Sequence, residues 1–196
     1  MAKIKLLITD FDGTLVDTFD ANFFAYRKAF ENFGLSLSQQ QYRDNFGLRF
    51  DDFMASMGIE DTALKQGIKA AKCDIYPLFF DHLRVNRPLL TMLRNFKLSG
   101  GLTAVASTAR RKNLLNALDY IGSADAFSLV LAGEDVKNGK PSPEIYNTVL
   151  ERMGVLPNEA LVFEDSPVGI EAATAAHINH IQITKNYFYE DTCERA

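Results

Sequence analysis

Residues 8–18 read ITDFDGTLVDT. Asp10 and Asp12 stand one residue apart, just past an apolar run and immediately before Gly13. Carboxylates this close repel one another, and a shared divalent cation removes that repulsion. An EF-hand loop would place oxygen ligands at positions 1, 3 and 5, glycine at 6 and glutamate at 12. Counted from Asp10, the chain has Gly13 at 4, Thr14 at 5 and Ala21 at 12, so that loop is excluded. Taken alone, the stretch reads as aspartates capping a turn, a common use of the residue.

Three further stretches change that reading. ASTAR (106–110) offers the hydroxyls of Ser107 and Thr108, with Arg110 just beyond. NGKPSP (138–143) places Lys140 before a rigid proline and a helix start. FEDS (163–166) supplies a second acidic pair, Glu164 and Asp165. Carboxylates hold Mg²⁺, serine and lysine hold phosphoryl oxygens, and the metal bridges the two. Each stretch is ordinary by itself. Together, each at the end of an apolar run or in the loop that follows one, they point to Mg²⁺-dependent phosphoryl transfer.

The elements that must position these residues follow from the pattern. Apolar, β-branched runs at 4–8, 102–107, 127–132, 160–165 and 180–184 read as strands. Helical patterns at 87–97, 111–122, 142–154 and 167–176 separate them, with Ser142 as the expected N-cap and Pro143 as the first residue of the third. This alternation predicts an α/β fold with a doubly wound parallel sheet, whose ligands bind beyond the C-terminal strand ends. One interval breaks the alternation. Residues 18–83 show no strand and four helical patterns, at 20–34, 38–47, 50–58 and 61–76, and hold ten of the fifteen phenylalanines. A small helical unit needs bulky side chains to build its own core, and Phe23, Tyr26, Phe30 and Phe33 fall on one broad face. The expected organisation is an α/β core domain, 1–17 and 84–196, interrupted by a helical cap domain, 18–83.

Composition narrows the classes. A chain of 196 residues with net charge −4 and 47% apolar residues is expected to be globular. It lacks the basic balance of a nucleic-acid binder. Cys73 and Cys193 are far apart and form no metal or disulfide spacing, which fits a reducing, cytoplasmic setting. The apolar run before Asp10 is too short for a membrane span. A monomer or weak homodimer acting on a small phosphorylated metabolite is expected.

The stretches DFDGTLVDT, VAST, GKPSPEIY and VFEDSPVGIEAA resemble, in order, the four motifs of the haloacid dehalogenase superfamily. The insertion after the first motif resembles the helical cap of its phosphatase and β-phosphoglucomutase branch. The resemblance implies Asp10 as the nucleophile, forming an aspartyl phosphate, and Asp12 as the group that protonates the leaving alcohol and deprotonates water. It implies Asp10 and Asp165 as Mg²⁺ ligands, Glu164 as a further one, and Asp12 facing the metal through its backbone carbonyl. It gives Ser107 and Lys140 to the phosphoryl oxygens, with Gly13, Thr14 and Thr108 beside them. Gly13 lets the chain turn sharply and Thr14 fixes that turn. Arg49 and Arg110 are candidates for an anionic substrate tail.

Asp12 distinguishes the chain from true dehalogenases, which lack that second aspartate. The mutase branch carries a histidine in the first cap helix where this chain has Asn22, and an arginine one residue further from its glycine than Arg49 is from Gly47. The missing histidine favours a phosphatase over a mutase. A catalytically silent binding protein is the remaining alternative, and the complete set of acids and bases argues against it. His177 stands where relatives have a left-handed glycine, a conformation that His177 or Asn179 would have to adopt. Relatives also often have Pro-Gly where this chain has VNRPLL. Asp17 is expected to mark the exit into the cap, outside the chemistry.

Overall fold

The computed structural model describes residues 3–184. The second cysteine considered above, Cys193, lies outside the described residues. The chain divides into two compact units, one formed by residues up to Asp17 and from Arg84 onward, the other by Thr18–Leu83.

The first unit is built on strands β1 (Leu6–Thr9), β4 (Leu102–Ala106), β5 (Leu129–Leu131), β6 (Ala160–Glu164) and β7 (Asn179–Gln182). Between β1 and β4 in the chain lie two short strands, β2 (Val16–Asp17) and β3 (Arg84–Val85). The sheet order is β5-β4-β1-β6-β7, and all pairs are parallel. Central β1 is buried along its whole length, as a strand covered on both faces must be, while edge strand β7 is exposed throughout. The chain adds β4 and β5 on one side of β1 and β6 and β7 on the other. The switch point, where a doubly wound sheet opens its binding crevice, therefore falls between β1 and β6. Leu6 and Ile8 share one core with Ala104, Ala106, Ile145, Tyr146, Val149, Ala172 and Ala173.

The helices of this unit begin on identifiable caps. Helix α5 (Arg87–Leu98) starts at Asn86, whose Oδ1 accepts from Leu89 N at 3.1 Å, and Leu89, Leu90 and Leu93 form its buried stripe. Helix α6 is Arg111–Tyr120, preceded by Arg110. Helix α7 (Glu144–Met153) begins one residue later than its pattern suggests: Pro143 occupies the N-cap, and Ser142 Oγ accepts from Glu144 N at 3.3 Å. Helix α8 (Pro167–Ala175) is capped by Ser166, whose Oγ accepts from Gly169 N at 3.1 Å. Just past α8, His177 takes the left-handed conformation (φ 58°), whereas Asn179 begins β7. Antiparallel β2 and β3, joined at Val16↔Val85 and Asp17↔Arg84, were not expected, because two residues carry no readable period.

The second unit contains α1 (Phe19–Glu31), α2 (Gln39–Asp44), α3 (Phe50–Ser56) and α4 (Thr62–Ile75). A 3-10 segment over Tyr76–His82 follows. Ser38 and Gln41 form a reciprocal capping box at the start of α2, which ends well before the glycine that closes its sequence pattern. Phe19, Phe23, Phe30, Tyr42, Phe53, Met54 and Ile68 make an aromatic core. Of the expected aromatic face, Phe23 and Phe30 are buried, Tyr26 is half-buried and Phe33 is exposed, with its ring lying against Gly67.

Candidate active site

Asp10 is the first residue after β1. Its N donates to Phe163 O at 3.0 Å, which continues the sheet one step past the strand and fixes the carboxylate at the β1/β6 crevice. Lys140, 130 residues away, reaches the same place: its Nζ donates to Asp10 Oδ1 at 2.6 Å, Glu164 Oε1 at 2.5 Å and Ala106 O at 3.0 Å. All three side chains are buried. The lysine is delivered by the loop before α7. There the Glu144 carboxylate accepts from Lys137 N (2.8 Å), Asn138 N (2.9 Å) and Asn138 Nδ2 (2.9 Å), bonds that hold its own pKa low.

Glu164 ends β6 and is wholly buried. Oε1 accepts from Lys140 and from the Tyr146 hydroxyl (3.0 Å). Oε2 accepts from Asp165 N (3.0 Å), Ser166 N (3.2 Å) and Ser166 Oγ (3.1 Å). A side chain at Gly169 would run into this carboxylate, so α8 can pack there only with a glycine.

Thr14 is also buried, and its hydroxyl donates to Asp165 Oδ1 at 2.9 Å. This bond ties the loop after β1 to the loop after β6. Asn86 supports the same loop by donating from Nδ2 to Thr14 O at 3.2 Å. Gly13 adopts φ 89°, and a Cβ there would strike the Asp165 carboxylate, so two separate constraints require glycine.

Ser107 follows β4. It is buried, accepts from Ala109 N at 3.0 Å and lies 3.5 Å from Asp12 Oδ2. Thr108 and Arg110 are exposed, and Arg110 Nε lies 3.9 Å from Glu134 Oε1. Arg49, also exposed, is the residue before α3 in the helical unit. The structure thus gathers Asp10, Ser107, Lys140, Glu164 and Asp165 with Asp12, Gly13 and Thr14, and leaves Thr108 and Arg110 at the surface.

The electrostatics are unbalanced. Burial, together with the charges of Glu164, Asp165 and Asp12, pushes the Asp10 carboxyl well above the usual range against the pull of Lys140. Asp165 is pushed up to about 6, chiefly by burial and further by Glu164, although the Thr14 hydrogen bond opposes the rise. Burial pulls Lys140 down, but Asp10, Tyr146 and Glu164 more than offset it, so the ammonium stays charged. Burial raises Tyr146, which remains a hydroxyl donor. Four carboxylates around one ammonium leave an excess of negative charge. Oxygens of Asp10, Glu164 and Asp165 lie within 4.8 Å of one another, a set of hard donors suited to a divalent cation. Among the described residues, the Asp12 side chain is not part of that set.

Tyr146 and Ser166 were missed as members of this network. Both sit inside motif stretches, as the tyrosine of GKPSPEIY and the serine of VFEDSPVGIEAA. Their side chains matter only through contact with Glu164, which spacing does not reveal.

The fold and this cluster define an α/β hydrolase with its chemistry at the switch point of a parallel sheet. Residues 7–183 match the model of the haloacid dehalogenase-like hydrolase family, and the chain belongs to that family. It is 31% identical over 182 residues to a phosphorylated carbohydrates phosphatase of Thermotoga maritima, covering 91% of this chain and 84% of the relative. The structure of CbbY from Rhodobacter sphaeroides in complex with phosphate superposes with a TM-score of 0.82 at 25% identity, over 97% of this chain and 91% of that one. A β-phosphoglucomutase from Clostridium difficile shares the fold, with a TM-score of 0.78 at 21% identity over 94% of this chain and 86% of that one. Among the described residues, no helix is long and apolar enough to cross a membrane.

Proposed function

We propose that the chain hydrolyses a small phosphate monoester, of the phosphorylated-sugar or phosphoglycolate class, using Mg²⁺ and an aspartyl-phosphate intermediate on Asp10. The observation that carries this reading is the Lys140 ammonium bridging Asp10 and Glu164 at the β1/β6 switch point, with Asp165 alongside. Similarity to a phosphatase of phosphorylated carbohydrates supports the substrate class.

Asp10, Asp165 and the Asp12 backbone carbonyl would hold the metal. Glu164 belongs to the same acidic set, and its oxygens already accept from Lys140, Tyr146, Asp165 N and Ser166. Magnesium, when bound, neutralises carboxylate and phosphoryl oxygens that would otherwise repel each other. Asp10 forms the new P–O bond while Asp12 gives its proton to the departing alcohol oxygen. Water then attacks the phosphorus of the aspartyl phosphate, gives its proton to Asp12, and inorganic phosphate leaves with Asp10 restored. Lys140 and Ser107 hold phosphoryl oxygens as charge shifts onto them. Gly13 allows the backbone to approach closely, Thr14 and Glu164 position their neighbours, and Thr108 and Arg110 are left for the rest of the substrate. A cytoplasmic monomer or weak homodimer completes the reading.

The test is a panel of phosphorylated metabolites assayed with Mg²⁺ and with a chelator, scoring free phosphate and isomerised sugar separately. Phosphate release from a sugar phosphate or phosphoglycolate, abolished by the chelator, is expected. Interconversion of hexose phosphates without phosphate release would establish a mutase instead. No turnover of any member by folded protein would favour a silent binding protein.

A further inference from the structure

Tyr146 is fully buried on α7, in the core beneath the sheet. Packing alone would be met as well by phenylalanine, and a buried hydroxyl costs stability unless it is bonded. This one donates to Glu164 Oε1, the oxygen that also accepts from Lys140. The Lys140 ammonium lies 5.2 Å from the Tyr146 ring centroid. The tyrosine and the lysine share one rigid mounting, because Glu144 in the first turn of α7 grips the backbone of Lys137 and Asn138 just before Lys140. Glu164 therefore stands between a fixed neutral donor and a charged donor that it shares with Asp10.

We propose that Tyr146 is a positioning residue for Lys140, acting through Glu164: its hydroxyl holds Oε1 where that oxygen shares the ammonium with Asp10. The inference rests on the phosphoryl-transfer reading of the site. Without the hydroxyl, Oε1 keeps Lys140 as its donor and draws the ammonium toward Glu164. The cation then moves away from Asp10 and from the place where a phosphoryl group would sit. Oε2 of Glu164 keeps its bonds from Asp165 N, Ser166 N and Ser166 Oγ, so the acidic set of Asp10, Glu164 and Asp165 is not displaced directly.

Tyr146→Phe keeps the ring and removes only the oxygen. Calorimetry with inorganic phosphate in the presence of Mg²⁺, and with Mg²⁺ alone, reads the site without turnover, and kcat on a hydrolysed ester reads it with turnover. Loss of a charge-assisted network bond should weaken phosphate about fivefold and lower kcat about tenfold, with Mg²⁺ affinity within about twofold of the parent. Because the effect runs through Glu164, Tyr146→Phe should add little on a Glu164→Gln background. Unchanged phosphate affinity in folded Tyr146→Phe would overturn the proposal, as would losses that add in the double variant. A parent protein that binds phosphate but hydrolyses no ester would overturn the phosphatase reading alone, and calorimetry would still decide the role of Tyr146.

Discussion

The two units of the chain solve the burial problem with different chemistry. The sheet unit builds its core mainly from Leu, Ile, Val and Ala, with Tyr146 among them, and the helical unit mainly from Phe, Tyr and Met. Strands supply continuous apolar faces that small and branched side chains can tile. Helices α2 and α3 span only six and seven residues, so each needs large rings to bury enough area. Polar burial divides them further. Of thirteen buried polar side chains among the described residues, the helical unit holds only Thr18, Asn22 and Lys72. The other ten, including Asp10, Lys140 and Glu164, lie in the sheet unit. A polar network at a parallel sheet's switch point is costly to bury and useful once it is satisfied. The helical unit is therefore expected to be sensitive to lost volume, and the sheet unit to single lost atoms.

The largest effect tests the sheet unit. Asp10→Asn keeps the shape but removes the nucleophile, so phosphate release should fall by at least about four orders of magnitude. Thermal unfolding should be little affected, because the amide keeps the volume and its oxygen can still accept from Lys140 Nζ. If turnover survives, the assignment of Asp10 is wrong.

The matching test of the helical unit is Phe53→Ala. Phe53 is buried, and its ring meets those of Tyr26, Phe30 and Tyr42 at 5.3, 6.0 and 5.8 Å. Denaturant unfolding should show a loss of about 3–5 kcal/mol, with Mg²⁺ affinity retained at temperatures where the protein is folded.

A subtler change sharpens the contrast. Thr14→Val removes one hydroxyl from the sheet unit at nearly constant volume, which frees Asp165 Oδ1 of its donor. The Mg²⁺ concentration for half-maximal activity should rise about tenfold, as for other groups that orient a metal ligand. An unchanged Mg²⁺ midpoint would mean that Thr14 serves only the turn.

The smallest expected effect is on pH dependence. The Asp165 pKa rises on folding to about 6 from an ordinary value of 3.8, so the metal-free folded state binds the extra proton between those values. The stability this contributes is present below pH 3.8 and lost as pH rises through 6. Metal binding displaces the same proton, so the rise in melting temperature on adding Mg²⁺ should be greater at pH 7.5 than at pH 5. Asp165→Asn should flatten both trends.

Much of the fold was legible because local rules agreed with the global one. Apolar runs became five parallel strands, and His177 took the left-handed conformation expected of it or of Asn179. Where the reading slipped, a tertiary contact intervened. Glu144 turns back from the start of α7 to the Lys137–Asn138 backbone, and β2 and β3 exist only as a pair. Thr14 reads as a turn residue until its hydroxyl is seen to meet Asp165, 151 positions away.

By itself the sequence determined which residue types stand at the ends of which strands, and thus the family and the kind of chemistry. Periodicity, turn chemistry and motif order are local properties that survive in a linear string. Only the tertiary structure decided how the charges share one another. Lys140 lies between Asp10 and Glu164, Glu164 is held by Tyr146 and Ser166, and Asp165 is fixed by Thr14. Those bonds join distant segments, and their strength depends on burial and distance, neither of which spacing along the chain records.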